Sequence, residues 1–233
     1  MNLRIDKKQK VEHVAIILDQ SGSMESIKIP TLTGINEQIQ TLRKNSNGIE
    51  TFVTLTKFNN EVEIEYFDRQ LDDIKEFSTD DYIPSGMTAM LDAVGLTINR
   101  MKNDIDEGTD DVSYLLVIVS DGMENASKEY TWQQVKDLIK QCELDNKWTI
   151  TYMGANQDLW DVSNDLGINS NNITLFYTNS INNVTNGFNI STQGLMNYRM
   201  ARMNNTAEGL EKTAFYSNVG ASINDLIDTT ENA

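Results

Sequence analysis

The sequence predicts an α/β domain: a doubly wound, mostly parallel sheet with one antiparallel edge strand and helices on both faces. Three observations predict it. Strand and helix signals alternate along the chain. Two apolar runs, Val14-Ala15-Ile16-Ile17-Leu18 and Val112 to Val119, are nearly continuous, as strands buried on both faces must be. One segment, Glu61-Val62-Glu63-Ile64-Glu65-Tyr66-Phe67, instead alternates polar with apolar residues, as a strand with one wet face does.

The elements follow in order. Residues 12–18 are the first strand. Residues 31–44 place Leu32, Ile35, Ile39 and Leu42 at helical spacing with polar residues between them. Residues 50–58 are β-branched and aromatic, hence a strand, and Asn59-Asn60 turns it into the alternating segment to make an edge hairpin. Pro84-Ser85-Gly86 breaks the chain before a helix from Thr88 to about Asn103. Val112 to Val119 is the second central strand and ends at Ser120-Asp121-Gly122. Residues 131–145 form an amphipathic helix with Val135, Leu138, Ile139 and Cys142 on one face. A strand at 149–153, a short helix at 159–166, a strand at 173–177 and a helix between Ile181 and Met203 complete the alternation. The domain therefore spans 11–203, between a charged N-terminal extension, 1–10, and an acidic C-terminal extension, 204–233, that carries no strong signal.

Composition excludes several classes of function. The 233 residues suit one large domain and contain only two prolines. A net charge of −16 argues against nucleic acid, which needs a basic face, and against anionic membrane surfaces. No apolar run approaches the roughly 20 residues of a membrane span. Met1 to Lys10 has no apolar core and is not a secretory signal. The single cysteine, Cys142, excludes an internal disulfide, and the cytoplasm is the expected compartment.

The most informative segment is Asp19-Gln20-Ser21-Gly22-Ser23-Met24, directly after the first apolar strand. One carboxylate and two hydroxyls sit there at alternating positions, where an open α/β sheet exposes its crevice. Thr88 opens the helix after Pro84-Ser85-Gly86, and Asp121 follows the second central strand. If those strands are neighbours, Asp19 and Asp121 face each other. Two like charges that close repel and raise each other's pKa; a divalent cation between them removes the problem. Asp19, Ser21, Ser23, Thr88 and Asp121 are all hard oxygen donors of the kind that Mg²⁺ or Mn²⁺ takes. Neutral hydroxyls leave the cation electrophilic, and five side chains leave at least one position for water or an outside carboxylate.

Asp19-Gln20-Ser21-Gly22-Ser23 with Thr88 and Ser120-Asp121-Gly122 resembles the metal-ion-dependent adhesion site (MIDAS) of von Willebrand factor type A (VWA) domains. Leu32-Thr33-Gly34-Ile35-Asn36-Glu37, Thr88-Ala89-Met90-Leu91-Asp92-Ala93, Glu124-Asn125-Ala126-Ser127 and Gly154-Ala155-Asn156-Gln157-Asp158 are similar to an intracellular bacterial and phage group of that family. So are Leu166-Gly167-Ile168 and Tyr198-Arg199, which extends the resemblance over roughly residues 10–202. The resemblance implies that Ser21, Ser23 and Thr88 contact the metal directly or nearly so. It implies that Asp19 and Asp121 bind directly or through water, and that a partner protein supplies an Asp or Glu.

Other residues carry competing readings. Met24, Met87, Met90 and Met123 flank the three segments, either as core or as a soft apolar rim. Asp92 supports the site from behind or makes local hydrogen bonds; Glu124 and Asn125 flank the site or merely form a loop. Asn156-Gln157-Asp158 contributes to partner contact or caps a helix. His13, ahead of the central strand at the end opposite the site, packs or faces solvent, and Cys142 is core. A binding module is the leading expectation, and no enzyme activity is expected. A structural or assembly component with a structural metal is the alternative. A phosphohydrolase is disfavoured because Ser21 stands where such enzymes carry an acid and no apt Lys follows the strand at 149–153.

Overall fold

The two apolar runs become neighbouring central strands of a six-stranded sheet, ordered β3-β2-β1-β4-β5-β6. A computed structural model describes residues 9–46, 48–106, 108, 111–155, 159–205 and 215–216. The strands are β1 (Lys10–Asp19), β2 (Ile49–Phe58), β3 (Val62–Gln70), β4 (Asp111–Ser120), β5 (Trp148–Ala155) and β6 (Ile173–Phe176). The helices are α1 (Lys28–Lys44), α2 (Met90–Asp104), α3 (Trp132–Leu144), α4 (Leu159–Leu166) and α5 (Ile181–Asn204). Only β2 and β3 pair antiparallel; β1 pairs in parallel with β2 and β4, β4 with β5, and β5 with β6.

Side chains alternate across a strand, so a strand covered on both faces must be apolar throughout. On one face Val14, Ile16, Leu18, Leu115, Val117 and Val119 pack with α1 (Leu32, Ile35, Ile39, Leu42) and α5 (Val184, Phe188, Leu195). On the other, Ala15, Ile17, Leu116 and Ile118 pack with α2 (Met90, Val94, Ile98), α3 (Val135, Ile139, Cys142) and α4 (Val162, Leu166). The predicted antiparallel edge is β3, where burial is intermediate along most of its length. At the other edge Tyr216 N–H donates to the Asn171 carbonyl at 3.1 Å and Phe215 N–H to Asn172 Oδ1 at 2.9 Å. Both rings are buried in the α1/α5 core, so part of the 204–233 segment, which had no sequence signal, contributes to it.

The end where β1 and β4 begin is held by buried ion pairs. Arg199 Nη1 lies 2.7 Å from Glu12 Oε2, and Arg202 Nη1 lies 2.8 Å from Asp111 Oδ2. Arg199 also donates to Thr51 Oγ1 and the Leu42 carbonyl, and Arg202 Nε to Ser113 Oγ. Lys10 Nζ donates to the carbonyls of Arg202, Met203 and Asn205, which the end of α5 leaves without helical partners. His13 corrects its sequence placement: it lies within β1, not ahead of it. It is buried between the rings of Phe52 and Tyr114, with Nδ1 2.6 Å from Asp68 Oδ1. Among the described residues no helix is long and apolar enough to cross a membrane.

Candidate functional site

At the opposite end, β1 and β4 leave the sheet together because Leu18 stands beside Val119 in register. Asp19 is the last residue of β1 and is wholly buried. Its Oδ1 accepts the Ser21 N–H at 2.6 Å, and its Oδ2 accepts the Ser120 hydroxyl at 2.6 Å. Its backbone carbonyl accepts the buried Tyr82 hydroxyl at 2.6 Å. Ser21 Oγ lies 3.0 Å from Ser23 Oγ, and Ser23 Oγ donates to Asp121 Oδ1 at 2.6 Å. A run of hydrogen bonds thus leads from Asp19 through the Ser21 backbone N–H, and from the Ser21 hydroxyl through Ser23 to Asp121.

Thr88 reaches the same place from another loop. A Cβ built on Gly122 would stand 3.1 Å from Thr88 Oγ1, 3.5 Å from Ser23 Oγ and 3.8 Å from Asp19 Oδ2. Three of the predicted oxygens therefore border one small volume that only a glycine at 122 leaves free. All five residues singled out in the sequence meet here. Asp19, Ser21 and Thr88 are buried, while Ser23 is exposed and Asp121 partly so; the group faces outward on that side.

Sequence placed Thr88 in the first helical turn. The structure corrects this: α2 starts at Met90 with Ala89 as its N-cap, and no side chain of its own caps it. Its free N-terminal amides are satisfied from the loop after β4. Glu124 Oε2 accepts the Leu91 N–H at 2.9 Å and Ser127 Oγ accepts the Asp92 N–H at 3.0 Å. Asn125 Oδ1 accepts the Thr88 N–H at 2.9 Å, and the Thr88 carbonyl accepts the N–H groups of Asn125 and Ala126. Asp92 returns the connection, accepting from the N–H groups of Lys128, Glu129 and Tyr130 at 2.8–2.9 Å. Asp92, Glu124 and Asn125 thus clamp the loop of Asp121 to the loop of Thr88. No local signal marked this clamp, because its two halves lie more than 30 residues apart in the chain.

The first loop is held in the same way. The Gly22 N–H donates to the Gly86 carbonyl and the Ser85 N–H to the Gln20 carbonyl, which fastens Asp19–Ser23 to the approach of Thr88. Met24 and Met90 are fully buried, whereas Met87 and Met123 are exposed. Asn156-Gln157-Asp158 lies outside the described residues.

The electrostatics follow from burial. Desolvation pushes the Asp19 carboxyl up to about 6; hydrogen bonds from Ser120 and Ser21 oppose the rise, and the Asp121 charge adds to it. Burial also raises Asp121, against the Ser23 hydrogen bond. Burial first, then Asp19 and Asp121, hold the Tyr82 phenol neutral far above its ordinary range. Among the described residues, neither Asp19 nor Asp121 forms an ion pair with Lys, Arg or His. Nor does any group of three or more His, Cys, Asp or Glu gather to hold a metal there. A cation at this place would depend on two carboxylates and on hydroxyls.

No family model matches the chain, and no curated protein does. Its fold matches solved structures of VWA-like architecture. Proximal thread matrix protein 1 from the mussel byssus superposes with a TM-score of 0.57 at 16% identity, covering 82% of this chain and 49% of that one. A von Willebrand factor type A structure from Catenulispora acidiphila gives a TM-score of 0.51 at 14% identity, over 81% and 43% of the two chains. The open conformation of the pilus adhesin SpaC from Lactobacillus rhamnosus GG gives 0.58 at 13%, over 82% and 31%. The mussel protein has also been solved with a zinc-occupied MIDAS motif, a structure that superposes at 0.53 with 12% identity over 84% and 47%. The chain spans half or less of the length of these structures.

Proposed function

We propose that this chain is a metal-dependent protein-binding module. Asp19, Ser21, Ser23, Thr88 and Asp121 hold a Mg²⁺ or Mn²⁺ ion, and a partner protein supplies an Asp or Glu to complete the coordination. One observation carries this reading: two partly or wholly buried carboxylates share a hydroxyl-lined crest where, among the described residues, no basic side chain pairs with them. Burying charge without a partner is costly. A divalent cation balances the two carboxylates, and neutral hydroxyls leave it able to attract a third. The zinc-occupied motif of the mussel byssus structure, on a like fold, supports the same use here.

Binding rather than catalysis is the reading for the same place. The chain's one histidine is stacked in the opposite end of β1, and Ser21 and Ser23 are bonded to each other and to carboxylates instead of to a base. We assign the chain to the cytoplasm on its single, buried cysteine, with a domain whose core takes in Phe215 and Tyr216 as well as residues 11–203.

Titration calorimetry of the full chain with MgCl₂ and MnCl₂ tests the metal. The expected result is one site in the wild type and no heat of binding in Asp19→Ala. A pull-down from native lysate in Mg²⁺ and again in EDTA tests the partner, which is expected to be lost with chelator while circular dichroism stays unchanged. Association that survives both EDTA and Asp19→Ala would overturn the mechanism.

A further inference from the structure

Exposed apolar side chains occur beside the oxygen cluster in a chain of net charge −16. Eight large apolar residues are exposed among the described ones, and four belong to the segments that build the crest. Met87, 49% exposed, directly precedes Thr88, and Met123, 61% exposed, is two residues past Asp121. Ile83, 60% exposed, follows Tyr82, whose hydroxyl holds the Asp19 carbonyl. Ile29, 59% exposed, lies in the first turn of α1, just beyond the Ser21–Ser23 loop. Two of these positions are held by bonds of the site's own loops: Met87 N–H donates to Asn60 Oδ1 at 3.0 Å, and the Thr88 carbonyl holds the loop that follows Met123. Met24 and Met90, from the same segments, are wholly buried, so the exposure of Met87 and Met123 is specific to those two positions.

Resting on the metal-dependent reading above, we infer that Met87 and Met123 are specificity residues for the partner's sequence. They select an acidic residue that has large apolar side chains beside it. A carboxylate approaching a cation at the crest must bring its neighbours against this rim. Apolar neighbours are buried there and exclude water from the charged contact, as contacts surrounding an interface hot spot do. Charged or small neighbours leave the rim wet. The thioether chains have three rotatable bonds and no fixed shape, so they accept several apolar residue types instead of one. The occupant is thus a protein segment with Asp or Glu next to residues such as Leu, Ile, Phe or Met.

The test is selection of a displayed random peptide library on the full chain in Mg²⁺, with elution by EDTA. The expected pool carries one Asp or Glu with apolar residues enriched at adjacent positions. Selection on Met87→Ser/Met123→Ser, and separately on Met87→Lys/Met123→Lys, is expected to keep the acid but lose about tenfold of the apolar enrichment. Mg²⁺ affinity by calorimetry and thermal unfolding of both variants are expected to match wild type. An acid-bearing pool with no apolar enrichment, or the same enrichment from the variants, overturns this inference and leaves the metal reading standing. A pool that EDTA does not release, or that lacks an acid, overturns the metal reading and this inference with it.

Discussion

Carboxylates stand at both ends of β1 and β4, wholly buried at Glu12 and Asp19 and half-buried at Asp111 and Asp121, and the chain treats the two ends oppositely. At the start of the strands, Glu12 and Asp111 meet Arg199 and Arg202 of α5. At the finish, Asp19 and Asp121 meet hydroxyls and a backbone amide among the described residues. Burial raises both Glu12 and Asp19. At Glu12 the charges of Arg199, Arg202 and His13 oppose the rise; at Asp19 hydrogen bonds alone oppose it and the Asp121 charge adds to it. Seven residues apart on one strand, one acid is neutralised from within the chain and the other is not. Among the described residues, arginines adjoin the carboxylates where β1 and β4 begin and none adjoins those where they end.

Substitutions that separate the two ends have opposite signs. The largest effect is expected at the paired end: Arg199→Met leaves Glu12 buried without its cation and costs about 3–5 kcal/mol in urea unfolding. Replacing both partners, as Glu12→Leu/Arg199→Met, restores much of that loss. A cost below about 1 kcal/mol would class the pair with surface ion pairs and weaken the contrast.

At the other end, Asp19→Asn is expected to stabilise the metal-free domain at pH 7, on the order of 2–3 kcal/mol from the raised carboxyl. The unfolded carboxyl titrates near 3.8 and the folded one at about 6, so the wild type is favoured by its proton at low pH. That stability is present below pH 4 and lost as pH rises through 6, whereas Asp19→Asn does not lose it. Unfolding in EDTA at pH 4, 5, 6 and 7 measures the difference, which should grow with pH. A difference that shrinks with rising pH would show that Asp19 is stabilised as the anion.

Metal is expected to do for the wild type what the amide does for the variant. Mg²⁺ at a hundred times its dissociation constant adds about 2.7 kcal/mol to a domain that binds it only when folded. Thermal unfolding should show this shift in the wild type and in Arg202→Lys, and not in Asp19→Asn. The smallest changes are expected from single neutral groups. Thr88→Ala and Gly122→Ala should each weaken Mg²⁺ about tenfold, near 1.4 kcal/mol by calorimetry. The first removes a donor; the second puts a methyl 3.1 Å from that donor's oxygen.

The order of elements was readable in the sequence to within a few residues because each amphipathic or doubly buried element must repeat its apolar residues at a fixed period. Leu32, Ile35, Ile39 and Leu42 are all buried, as their spacing required, and the hairpin at 50–67 forms the antiparallel edge. The start of α2 was less readable, because its caps, Glu124 and Ser127, lie more than 30 residues away in the chain. Arg199 and Arg202 are fully buried against Glu12 and Asp111, a pairing no local pattern signals because the partners lie far apart in the chain. Phe215 and Tyr216 carried no periodicity at all, since two isolated rings have no neighbours with which to repeat.

Local chemistry alone pointed to the class of fold and singled out five candidate oxygen donors, for strand runs, turn residues and Asp-x-Ser-x-Ser spacing are properties of short segments. Whether Asp19 lies beside Asp121 or beside an arginine depends on which strand ends adjoin and which helix crosses beneath them. Only the packed sheet decides that, because the groups concerned are separated by about a hundred residues of sequence or more and meet only when two apolar faces close over one core.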